Sequence, residues 1–136
     1  MGDGRLLLSK YDEARDSKTT PERLVDLARD GDWAVRETVA GNTSAPQEVL
    51  TEMSRDRDTI ARYWVARNTS APSEVLTELS RDDAWTVRAG VAGNASAPDG
   101  TLILLTEDIN DQVVKAAKAT LASRTATPTL LWGMGV

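Results

Sequence analysis

The sequence predicts an all-α fold, an α-solenoid of four two-helix repeats with a cap at each end, and three observations predict it. Leucine recurs every 26 residues at Leu24, Leu50, Leu76 and Leu102, with an apolar companion three positions on at Leu27, Met53, Leu79 and Leu105. A second apolar set keeps the same step, Val35, Ala61, Val87 and Val113, followed four positions later by Val39, Val65, Val91 and Ala117. Both sets have helical spacing, so each unit reads as two short amphipathic helices, A then B. Such units bury their apolar faces only against their neighbours, which makes an array the expected architecture and a cap the expected end. The expected organisation is one repeat domain over residues 1–136: a cap at 1–19, repeats at 20–45, 46–71, 72–97 and 98–125, and a C-terminal cap or tail at 126–136.

In the cap, Leu6, Leu7, Leu8, Tyr11 and Ala14 have helical spacing but do not fall cleanly into the repeat. Helix A starts near Pro21, Pro46, Pro72 and Pro98, where proline is tolerated because a first-turn N–H has no intrahelical partner. Glu22, Glu48 and Glu74 suit the positive end of that helix. Asp30, Asp56 and Asp82 stand at the A–B turn, and helix B closes at Asn42, Asn68 and Asn94, a residue type that tolerates left-handed backbone. In the fourth unit that signature is lost and Pro128 comes 30 residues after Pro98, so helix B is expected to gain about one turn and bury Val113, Ala117 and Leu121. Leu130, Leu131 and Trp132 are expected to cover the last open face.

Composition narrows the chemistry. The chain has no Cys and no His, which removes disulfides, thiolate and imidazole metal ligands, Cys nucleophiles and the commonest general base; no catalytic activity, cofactor or metal is expected. A formal charge of -5 and a pI near 4.7 work against a polyphosphate partner. Leu6-Leu7-Leu8 is too short for a signal peptide or a membrane span, so a cytoplasmic protein without membrane association is expected.

Val-Arg-x-x-Val-Ala-x-Asn, a few polar residues, Pro, then Glu-Val-Leu-x-x-Leu-x-x-Asp is clearest in residues 33–56 and 72–98. This signature resembles the leucine-rich repeat variant family, a bacterial repeat related to HEAT-like arrays, over about residues 20–125. The resemblance implies units stacked into a right-handed superhelix, with either α- and 3₁₀-helices alternating or two α-helices per unit. Two departures stand out. The family often has Thr before the proline as an N-cap, where this chain has Ala45, Ala71 and Ala97, leaving Ser44, Ser70 and Ser96 to cap from one residue back. The founding type carries an iron–sulfur cluster on a cysteine-rich segment, a property that does not transfer to a chain without Cys.

Arg36, Arg62 and Arg88 form a ladder that could serve as a basic stripe. Each also comes six residues after Asp30, Asp56 or Asp82, and the expectation is a pair across the A–B turn of its own unit. Asn42, Asn68 and Asn94 read as loop-locking side chains. Positions that break the repeat point to binding, because repeat positions are set by packing. In helix B of unit two, Tyr63, Trp64 and Arg67 replace Glu37, Thr38 and Gly41 of unit one and Ala89, Gly90 and Gly93 of unit three, with Trp33 and Trp85 flanking them. Tyr, Trp and Arg are enriched at binding hot spots. The competing reading has Trp64 filling space between units. The leading expectation is a non-enzymatic protein- or peptide-binding module using Trp33, Tyr63, Trp64, Arg67 and Trp85. The alternatives are a nucleic-acid-binding HEAT-like protein and a structural unit that self-associates through the C-terminal tail.

Overall fold

The computed structural model describes residues 9–125. The apolar triplet Leu6–Leu8 and the tail residues Leu130, Leu131, Trp132 and Met134, expected to cap the array or to mediate self-association, lie outside the described residues. Among the described residues all regular structure is α-helical, in both helices of each pair. A short α1 (Lys10–Arg15) precedes four pairs: α2 (Pro21–Ala28) with α3 (Trp33–Ala40), α4 (Gln47–Met53) with α5 (Thr59–Arg67), α6 (Ser73–Leu79) with α7 (Trp85–Ala92), and α8 (Asp99–Leu105) with α9 (Asp111–Thr125).

Helices this short are marginal alone and are held by the faces they bury. Every repeating apolar position sits in one continuous core, with Leu24, Leu50, Leu76 and Leu102 from helix A fully enclosed and Val39, Val65, Val91 and Val113 from helix B opposite them. The B helices pack directly on one another in chain order, α3 on α5, α5 on α7 and α7 on α9, and α1 packs on α3 as though it were a B helix itself. Successive A helices touch far less. Contact between units therefore runs mainly along the B row.

The cap is in register after all. Ala14 is fully buried in the place that Ala40, Ala66 and Ala92 fill in later units, so α1 stands where a helix B stands in those units.

Polar side chains join each unit to the next, and here three expectations need correction. Arg36, Arg62 and Arg88 do not pair with the aspartate carboxylate of their own A–B turn; each donates to the carbonyl of that aspartate and pairs instead with the aspartate of the following unit, 20 residues on. Arg62 Nε lies 2.8 Å from Asp82 Oδ2 and Arg88 Nε 2.8 Å from Asp108 Oδ2. Lys10 opens the ladder by pairing with Asp30. The receiving aspartate also folds its turn, since Oδ1 of Asp30, Asp56, Asp82 and Asp108 accepts the backbone N–H two residues ahead. Burial opposes the charge on Asp108, but the Arg88 bonds and the Asn110 N–H outweigh it and hold its pKa below the ordinary value.

Asn68 is not a left-handed closure. Asn68 is extended, with φ -78° and ψ 118°, and Gly41 and Gly93 end their helices in right-handed or bridging backbone. Asn68 Nδ2 reaches back to the carbonyls of Ala40 and Asn42, both at 2.9 Å, while its Oδ1 accepts from Ser70 N. Asn42 and Asn94 repeat the pattern on Ala14 and Asp16, and on Ala66 and Asn68. The serines do not cap helix A either: Ser44, Ser70 and Ser96 donate to carbonyls of the preceding unit, and Pro46, Pro72 and Pro98 begin their helices without a side-chain cap. Ala45, Ala71 and Ala97 are buried, which is why a capping Thr is dispensable there.

The last unit runs long. α9 has 15 residues against eight or nine in α3, α5 and α7, with Val113 and Ala117 buried and Leu121 packed at the core edge. Where earlier units have the helix-ending Asn, α9 has Thr120, whose hydroxyl reaches the Ala92 carbonyl without ending the helix.

Candidate functional site

The exposed side of the B row is uneven because its helices alternate in bulk. α3 offers Ala34, Thr38 and Gly41, α7 offers Ala89 and Gly93, and α5 between them carries Tyr63, Trp64 and Arg67. α5 is thus a ridge between two low floors. Trp64 leans back over α3, its ring 3.5 Å from where a Cβ on Gly41 would stand, and stays 39% exposed. Tyr63 leans the other way, over Ala89 and Gly90, and is half-buried against the core. Their rings meet edge to face at 5.3 Å, and the Arg67 guanidinium lies 5.9 Å from the Tyr63 ring centre and 6.0 Å from that of Trp64, with Nη1 donating to the Tyr63 hydroxyl.

Two grooves follow. The first, about 540 Å³, runs between α1, α3 and α5 and is lined by Tyr11, Arg15, Trp33, Glu37 and Trp64 with the small residues of α3 as floor. The second, about 450 Å³, runs between α5 and α7 and is lined by Ile60, Tyr63, Trp64, Trp85 and Ala89. Of the five residues singled out in the sequence, Tyr63, Trp64 and Arg67 form one cluster. Trp33 joins Trp64 on the first groove, and Trp85 joins Tyr63 and Trp64 on the second. Trp64 both fills space between units and shows a face to solvent. Gly90 is not a surface position: it is buried, and a Cβ there would stand 2.9 Å from that of Ala66.

Three contributors were not singled out in the sequence. Tyr11 and Arg15 of α1 stand in the same repeat columns as Tyr63 and Arg67 and form the same stacked pair, with Arg15 lying 5.3 Å from the Tyr11 ring centre. The repeat register, carried back one unit from Glu37 and Gly41, would have found them. The third is an acid pair. Glu37 opens into the first groove, and its carboxyl lies against Asp58 at the start of α5. Asp58 Oδ1 caps α5 by accepting from Ile60 N, while Oδ2 is buried and accepts no hydrogen bond from a donor among the described residues. Two carboxylates offer only acceptors, so a bond between them forms only when one holds a proton. Burial, then the Asp58 carboxylate, push the Glu37 pKa up to about 7. A carboxyl raised in the folded state contributes stability fully present below its unfolded pKa and lost as pH rises through about 7.

Among the described residues no group of three or more Asp or Glu side chains is placed to hold a metal ion, and no helix is long and apolar enough to cross a membrane. Residues 33–58 match the family model described as leucine rich repeat variant. Over this segment the chain is similar to a leucine rich repeat variant unit. The segment covers one full period, from Trp33 at the start of α3 to Asp58 at the cap of α5. No curated protein and no solved structure matches the chain. The matched segment contains Trp33 and both members of the acid pair, Glu37 and Asp58.

Proposed function

We propose that the chain is a non-enzymatic binding module that takes a protein segment or peptide along the helix-B face, through Trp33, Tyr63, Trp64, Arg67 and Trp85. The carrying observation is the pair of adjacent grooves divided by Trp64, in which Trp33 and Trp85 remain 61% and 45% exposed. Large aromatic surface left open on a rigid array has the composition of an interface centre, and repeat modules supply extended, pre-organised surfaces of this kind. The absence of Cys and His fits a role without chemistry. Weighing against a nucleic acid are the net charge of -5 and the engagement of Arg36, Arg62 and Arg88 with aspartates, which leaves no free ladder for phosphates.

Selection of peptides from a random library on the immobilised protein tests this reading. Trp33→Ala and Trp85→Ala remove mostly exposed surface, so each should leave the Tm within a few degrees and weaken selected peptides by about 1–2 kcal/mol, roughly tenfold. Peptides that bind both variants as tightly as the parent would place the site elsewhere. Tyr63→Ala is a poorer probe, because the half-buried ring also supports the core edge.

A further inference from the structure

The two grooves differ in chemistry. The second is lined by apolar and hydroxyl side chains, whereas the first holds the Glu37 carboxyl one helical turn from Trp33 and across from Trp64. Aromatic faces beside an anionic group recognise a flat, delocalised cation: ring quadrupoles attract positive charge, a guanidinium is weakly hydrated and planar, and a carboxylate accepts two of its N–H groups in parallel. The chain shows the same preference internally, with Arg15 over Tyr11 and Arg67 over Tyr63 and Trp64. Trp33 has no such cation among the described residues. We propose that the groove between α1, α3 and α5 binds an arginine side chain of a basic peptide, its guanidinium lying against Trp33 and Trp64 and pairing with the Glu37 carboxylate. This inference rests on the peptide-binding reading of the helix-B face and names the partner's chemistry. A net charge of -5 favours a basic partner over an acidic one.

The cations already present do not satisfy Glu37. Arg36, on the same helix, donates to Asp56 and to the Asp30 carbonyl, and Arg15, from α1, donates to Asp12. Asp56 and Asp58, from the α4–α5 side, add negative charge. Burial and the neighbouring Asp58 carboxylate raise the Glu37 pKa, so without a bound cation the Glu37 carboxyl keeps its proton up to about pH 7. An arriving guanidinium replaces that proton, which leaves to solvent. Arginine binding is thereby linked to proton release and strengthens as pH rises through the Glu37 titration.

The test titrates N-acetyl-arginine amide, with the neutral isostere N-acetyl-citrulline amide, into the full chain, following the indole N–H signals of Trp33 and Trp64 by NMR. The arginine probe should shift both signals saturably, with Kd falling on the order of tenfold between pH 6 and pH 8 as the competent, ionised fraction grows. Citrulline should give no saturable shift. In Glu37→Gln the amide can still donate to Asp58 Oδ2, so the fold is retained; the arginine probe should bind that variant weakly and without pH dependence. The parent's Tm should also fall over the same pH interval while that of Glu37→Gln does not. Equal binding of the two probes, pH-independent binding to the parent, or unchanged binding to Glu37→Gln would overturn the inference. If library peptides lacking arginine bind through Trp33 and Trp85 while the arginine probe does not bind, this inference fails and the peptide-binding reading stands.

Discussion

Each interior asparagine uses both ends of its amide. Asn68 gives two N–H groups to the Ala40 and Asn42 carbonyls of the unit before it and accepts from Ser70 N in its own loop, and the side chain is buried. The Ala40 carbonyl lies in the last turn of α3, where the helix has no further N–H to offer it, while the Asn42 carbonyl also accepts from Ala45 N. Unit is thus joined to unit partly through a backbone carbonyl that its own helix leaves unpaired. Asn68→Asp keeps the size and the accepting oxygen but points a second acceptor at two carbonyls. Removing the donors strands the Ala40 carbonyl, and burying the charge adds to the loss, so the expected cost is about 2–4 kcal/mol in a urea melt at pH 7. A loss below half a kilocalorie would mean that these bonds do not hold the stack together.

At the scale of the helix, the close packing of the B row depends on small residues where α5 meets α7. Ala66 and Gly90 face each other so closely that a Cβ on Gly90 would lie 2.9 Å from that of Ala66 and 3.4 Å from the Tyr63 carbonyl. Gly90→Ala must push α5 and α7 apart, and about 1–3 kcal/mol of destabilisation is expected, the range of overpacked cores. Gly41→Ala is the control. Its Cβ would meet the Trp64 ring at an ordinary 3.5 Å, its backbone is already right-handed, and the change should be neutral or slightly stabilising by thermal melt. Glycine in mid-helix is costly by propensity, so the sequence marks Gly90 as unusual but does not say whether it makes room for a ligand or for a neighbouring helix. Only the α5–α7 distance decides that.

The whole molecule is a stack in which the arginine–aspartate and asparagine–carbonyl bonds between units repeat with the same offsets, and that makes it divisible. Deleting residues 72–97 removes one period. Arg62 then meets Asp108 where it met Asp82, Leu102 takes the place of Leu76, and Thr120 faces the Ala66 carbonyl in place of Asn94. The shortened chain should fold with unchanged helix content per residue and a lower Tm, because repeat arrays gain stability from each added interface. Deleting 72–84 instead removes α6 and the turn after it, puts α7 directly after the loop that should start a helix A, and should abolish cooperative unfolding. Circular dichroism melts of the two deletions separate these outcomes, and equal behaviour would refute a modular stack.

The sequence by itself determined the helices, their pairing and the core, since a 26-residue recurrence of Leu and Val at helical spacing leaves one way to bury both faces, against the units before and after. It also marked the aromatic cluster of α5, because Tyr63, Trp64 and Arg67 break a pattern that packing otherwise enforces. Tertiary structure alone decided who bonds to whom. Arg62 has an aspartate six residues behind it and another 20 ahead, and the choice turns on where α5 lies relative to the next A–B turn, a distance across the stack that chain spacing does not encode. The same holds for Glu37 and Asp58, two unremarkable acids in the sequence: their proximity, the raised pKa and the groove they serve exist only once α3 and α5 are packed side by side.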